Sequence, residues 1–112
     1  MASSTTNAPF VVNSEAEFEE IIASGLVVVD FYADWCPPCK MLAPELERVA
    51  ADVPDGVRVA KVNVDQLGSL AGRFSISSIP TIIYFKDGVA QHRSAGFAPA
   101  DAIRSEIDRL NT

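Results

Sequence analysis

Residues 26–45 read LVVVDFYADWCPPCKMLAPE. Leu26 to Ala33 form a β-branched and aromatic run bounded by Gly25, and its lack of alternation predicts a strand covered on both faces, central in a sheet. Beyond it lie the 2 cysteines of the chain, Cys36 and Cys39, with Pro37 and Pro38 between them. Met41, Leu42, Leu46 and Val49 then read as the buried stripe of a helix reaching about Ala51. Because Pro38 follows it, Pro37 is biased toward extended geometry, so regular helix is expected from Pro38. Pro44 lies inside the stripe and is expected to kink the helix, leaving the carbonyl one turn earlier without its donor, while the helix survives through packing.

Upstream, MASSTTNA (residues 1–8) is small and polar and reads as a loose tail, with one domain from residue 9 to residue 112. PFVV suits a short strand. Ser14 and Glu17 fit a capping box, and Phe18, Ile21 and Ile22 follow at helical spacing until Ser24-Gly25. Downstream, DVPDG is a turn and VRVAKVNVD alternates as a strand does, while Leu67, Leu70, Ala71 and Phe74 suggest a short helix. IPTIIYF is a strand opening on proline, KDG a hairpin turn and VAQHRSAG the return strand. Pro99, in a first helical turn, leads Ile103, Ile107 and Leu110 along a closing helix. The order βαβαβαββα predicts an α/β fold: a mixed central sheet, parallel in part with an antiparallel hairpin, and helices on both faces.

A chain of 112 residues suffices for one core. Its formal charge of −6 disfavours nucleic acid or an anionic membrane as partner. Nothing approaches the ~20 apolar residues of a membrane span, and the opening residues lack a signal-peptide pattern, so the chain reads as soluble and cytoplasmic.

A C-x-x-C pair has three readings. Zinc needs four ligands, and the other candidate, His92, lies in a distant strand, so no metal is expected. A structural disulfide closing so short a loop removes little unfolded-state entropy. Dithiol–disulfide exchange fits better, since a resolving thiol must lie beside the attacking one. Cys36, at the helix N-terminus, is placed to be a thiolate. Cys39, one turn in, is expected to be more buried and to resolve.

VVVDFYADWCPPCKMLAP, AKVNVDQ, SISSIPTIIYFKDG and SAGF together resemble the thioredoxin family, in its order and without insertion from about Phe10 onward. The resemblance implies a thiol–disulfide oxidoreductase that reduces client proteins. Cys36 matches the nucleophile, Cys39 the resolving cysteine, Asp30 a buried proton relay, Lys61 the lysine near that carboxylate, and Pro80 a cis-proline facing the disulfide. Among apolar neighbours, Asp30 is also expected to have a raised pKa. In the family, the backbone of the residue matching Ile79 pairs with bound substrate. Trp35, Pro37, Pro38, Ile79, Gly96 and Phe97 are the expected substrate-binding positions. The resemblance further implies a monomer without bound cofactor, its Cys36–Cys39 disulfide being the redox group, re-reduced by a flavin-dependent, NADPH-using reductase.

Two departures stand out. The family usually has Gly-Pro between the cysteines, and often Trp where Tyr32 stands. Neither proline can donate to the Cys36 sulfur, leaving the N–H groups of Cys39 and Lys40 as candidate donors. Oxidising relatives commonly place His before the second cysteine, so Pro38 points to a reductant. An oxidase or isomerase, or a non-catalytic binding module using the apolar patch, are the rival readings.

Overall fold

The computed structural model describes residues 8–112; the expected tail lies almost entirely outside them. Strand β1 spans Phe10–Val11, α1 Glu15–Ile22, β2 Leu26–Tyr32, α2 Pro37–Ala51, β3 Val57–Asn63, α3 Gly68–Arg73, β4 Thr81–Lys86, β5 Val89–Ala95 and α4 Ala100–Leu110. The sheet order is β1-β3-β2-β4-β5, with β2 parallel to β3, β3 parallel to β1, and β2, β4 and β5 successively antiparallel. This is the expected mixed sheet, and β2 lies at its centre. All of β2 is buried except the half-buried Tyr32 at its end.

Local signals explain the boundaries. Ser14 accepts the Glu17 N–H through its hydroxyl at 3.1 Å, and Glu17 reaches back to the Asn13 N–H, one residue beyond the usual capping-box partner. At the β4–β5 turn, Asp87 and Gly88 both have positive φ, 50° and 87°, the two-residue hairpin geometry that Asp-Gly suits best. Gly25 is required twice over. Its φ is 76°, and a Cβ there would stand 2.6 Å from the Gly56 carbonyl oxygen, which accepts the Leu26 N–H that starts the parallel pairing.

The alternation of β2 side chains divides the core. Leu26 and Val28 pack with Leu42 and Leu46 of α2 and Ile103 and Ile107 of α4. Val27, Val29 and Phe31 pack with α1 and α3, where Phe18 and Phe85 meet with ring centroids 5.6 Å apart. Period-two geometry therefore carries Asp30 and Tyr32 onto the α2 face.

Four expectations about the helices need correction. Helix α2 starts at Pro37 rather than Pro38, because the first helical N–H groups have no partner within the helix and two ring nitrogens there cost no hydrogen bond. Met41 is 61% exposed, not part of the buried stripe; Cys39, Leu42, Leu46, Val49 and Ala50 set that stripe, and Met41 falls a quarter-turn outside it. Pro44 is exposed as well, so it lies outside that stripe, and the helix survives it to Ala51 as expected. Pro99 is the N-cap of α4, just outside the helix.

Candidate functional site

The loop from β2 into α2 carries the cysteines. Cys36 has extended backbone, φ −95° and ψ 109°, and is the N-cap of α2. Pro37 and Pro38 occupy the first two helical positions and Cys39 the third. The Cys39 N–H donates to Cys36 Sγ at 3.2 Å, the bond that a serine or threonine cap makes through oxygen. The two prolines thus remove only N–H groups for which the helix has no acceptor. The Lys40 N–H donates to the Cys36 carbonyl at 3.1 Å, so of the two expected donors to the sulfur, Cys39 alone serves.

Cys36 and Cys39 are joined as a disulfide, with Cα atoms 5.2 Å apart. They pack with Ala33, and Tyr32, Val64 and Ile79 close around them. Both are nearly covered, Cys36 at 3% and Cys39 at 4% exposure. The expected difference in burial is therefore not seen in the disulfide form, because Ala33 and Ile79 cover Cys36 as the helix covers Cys39. The two differ instead by position, Cys36 capping the helix and Cys39 lying within it.

Cys36 Sγ lies 3.8 Å from the Ile79 carbonyl oxygen. The Ile79–Pro80 peptide bond is cis, and the Pro80 carbonyl accepts the Gly96 N–H at 2.7 Å. These contacts bring three separated stretches together: the cysteine loop, the loop before β4, and the Gly96-Phe97 segment after β5. Pro37, Pro38 and Phe97 are exposed, Ile79 and Gly96 are half-buried, and Pro80 is buried. Trp35 is 66% exposed, yet its indole is held, its Nε1–H donating to Asp65 Oδ2 at 2.8 Å. A groove of about 320 Å³ begins at Ile79 and continues along Ser78, Ser77 and Ile76 to Val64, Gly68 and Ala71.

Asp30, 1% exposed, makes no hydrogen bond through either carboxylate oxygen among the described residues. Burial raises its pKa from 3.8 to about 7, against the nearby Lys61 charge, which lowers it. In the parallel register Asp30 stands opposite Lys61 and, across the antiparallel pair, opposite Ile82. The Lys61 ammonium sits 4.4 Å from the centroid of the Tyr32 ring. Tyr32, Lys61 and Cys39 line one small notch together with Asp34 and Lys40.

The match of the chain to a known family decides what this arrangement belongs to. Residues 9–109 match the thioredoxin family model. The chain belongs to the thioredoxin family. It is 49% identical over 98 residues to thioredoxin from Chlamydia trachomatis serovar D, an alignment covering 88% of this chain and 95% of that one. With thioredoxin from Staphylococcus aureus it shares 41% identity over 96 residues, 86% of this chain and 92% of that one. The solved structure of a mutant thioredoxin from Halobacterium salinarum superposes with a TM-score of 0.90 at 30% identity, covering 99% of this chain and 97% of that one. The chain is accordingly a thiol–disulfide oxidoreductase of the thioredoxin family, reducing disulfides in client proteins, and Cys36–Cys39 is its redox-active pair.

Two site residues escaped the sequence reading. Asp65 looks like one more surface acid until β3 and the turn after it set it beside Trp35. Arg93, on β5, donates through its guanidinium to the carbonyls of Phe74 and Ser75, tying down the start of the loop that ends in Pro80. Its partners are backbone atoms and leave no residue-type signature. His92, the other candidate zinc ligand, lies 3.9 Å from Glu106 and packs against Tyr84. Among the described residues no group of three or more His, Cys, Asp or Glu side chains gathers as a metal site would. No helix among them is long and apolar enough to cross a membrane.

Proposed function

We propose that Cys36 is the attacking sulfur, Cys39 the resolving one, and Asp30 the group that takes the Cys39 proton. The observation that carries this assignment is the Cys39 N–H aimed at Cys36 Sγ. After reduction, the same N–H and the positive end of α2 favour a thiolate at Cys36 and give nothing comparable to Cys39.

In the forward cycle the Cys36 thiolate attacks one sulfur of a client disulfide. A Cys36–client bond forms, the client S–S bond breaks, and the departing client thiolate takes up a proton. Asp30 then removes the proton of Cys39, whose thiolate attacks Cys36 Sγ, forming the Cys36–Cys39 bond and releasing the second client thiolate. Two electrons pass to the client. A carboxyl whose pKa is about 7 suits this task, being basic enough to accept a proton and acidic enough to return it near neutrality.

Clients bind across Trp35, Pro37, Pro38, Ile79, Gly96 and Phe97, with an extended stretch pairing against the Ile79 backbone and continuing in the groove beside it. Pro80 takes the part of the cis-proline after Ile79, and Lys61 tunes Asp30 through its charge. The pair is re-reduced by an NADPH-dependent flavin reductase, and the protein works as a cytoplasmic monomer. The preference for reduction rests on Pro38, which leaves no cation before Cys39. A disulfide-reduction assay with Cys36→Ser and Cys39→Ser tests the assignment. Cys36→Ser is expected to abolish turnover; turnover retained in that variant would overturn it.

A further inference from the structure

Asp30 and Lys61 are in-register neighbours on parallel strands, so both side chains project from one face of the sheet. Opposite charges so placed, one of them buried, ordinarily close into an ion pair. Here they do not: among the described residues Asp30 has no hydrogen-bond partner, and the Lys61 ammonium rests over the Tyr32 ring, 4.4 Å from its centroid. Tyr32 stands two residues beyond Asp30 on the same face and offers the only aromatic ring within reach of the ammonium among the described residues.

We propose that Tyr32 is a positioning residue for the proton relay: its ring holds the Lys61 ammonium off the Asp30 carboxylate, keeping that carboxylate free to accept a proton. The proposal rests on the reading of Asp30 as the acceptor of the Cys39 proton. Lys61 is half-buried, and an aromatic face attracts an ammonium there about as strongly as a modest ion pair does, so the ring competes with the carboxylate for one cation. With an aliphatic side chain at position 32 that resting place is lost, the ammonium turns to Asp30, and the acid ionises at lower pH. The other titratable groups around the notch are Asp34 and Lys40 of α2, Cys39 being held in the disulfide, while β4 brings only Ile82 against Asp30.

The test is a carbon-13 titration of the Asp30 carboxyl in the oxidised protein. Tyr32→Phe keeps the ring and is expected to titrate as the parent does. Tyr32→Leu is expected to lower the midpoint by about half a pH unit, about threefold in the acid constant, the scale of a cation–π contact that solvent still reaches; Tyr32→Met makes the same comparison should the leucine variant not fold. With Lys61→Met already present, Tyr32→Leu is expected to change nothing further. An unmoved midpoint in the leucine or methionine variant, or an equal downward shift without Lys61, overturns the proposal. The pH profile of disulfide reduction, recorded alongside, separates the two ideas. If the titration shifts while the profile stays, Tyr32 positions the lysine as proposed and Asp30 is not the relay.

Discussion

Replacing Asp30 with asparagine keeps the shape of the side chain and removes its charge, and the consequence for stability has a definite pH signature. An aspartate in the unfolded chain ionises with a pKa near 3.8, whereas burial raises Asp30 to about 7 in the folded protein. The folded state thus holds its proton over a range in which the unfolded state has released it. The stability contributed by the neutral acid is fully present below pH 3.8 and is lost as pH rises through 7. At about 1.4 kcal/mol for each pH unit, the gap between the two values corresponds to about 4 kcal/mol. An asparagine at this position lacks a protein partner too, and that cost does not vary with pH. Urea unfolding of the oxidised parent and Asp30→Asn, run from about pH 4 to about pH 8, isolates the charge. The variant is expected to gain on the parent by about 4 kcal/mol across that range. Parallel stability profiles would show that Asp30 is not held neutral by burial and would remove the physical basis for its role as relay.

Other substitutions probe separate parts of the structure. If clients bind across Trp35 as proposed, Trp35→Ala should lower kcat/KM for a protein disulfide by about tenfold, through KM, while a redox titration of the pair stays unchanged. Gly25→Ala should cost about 2 kcal/mol or more in chemical denaturation, since alanine there meets both the positive φ and the Gly56 carbonyl. Phe18→Ala should cost about 3–5 kcal/mol, Phe18 being wholly buried between Phe74 and Phe85.

Much of this fold was legible because its punctuation is local. Ser14 with Glu17 marks a helix start through bonds reaching no more than four residues, Asp87-Gly88 marks the hairpin by its own backbone conformation, the diproline sets a helix start to within one residue, and the unbroken Leu26–Tyr32 run identifies the central strand. Met41 was misplaced because a helix of mixed pattern permits more than one apolar stripe, and only the sheet beneath decides which is buried. The pairing of Trp35 with Asp65, the grip of Arg93 on the Phe74 and Ser75 carbonyls, and the Lys61–Tyr32 contact depend on register and strand order, which single residues do not announce. Asp30 was the exception among the long-range features. A carboxylate inside an apolar strand signals its own burial.

If Cys36 attacks and Cys39 resolves, the two sulfurs differ in the bond each forms with a client. Incubating the reduced Cys39→Ser variant with a disulfide-containing protein and digesting the product for mass spectrometry identifies that bond directly. The expected product is a stable mixed disulfide joining Cys36 to a client cysteine, with no such adduct accumulating on Cys39 in the Cys36→Ser variant. A client bound to Cys39 in Cys36→Ser, with no adduct on Cys36 in Cys39→Ser, would reverse the roles of the two sulfurs.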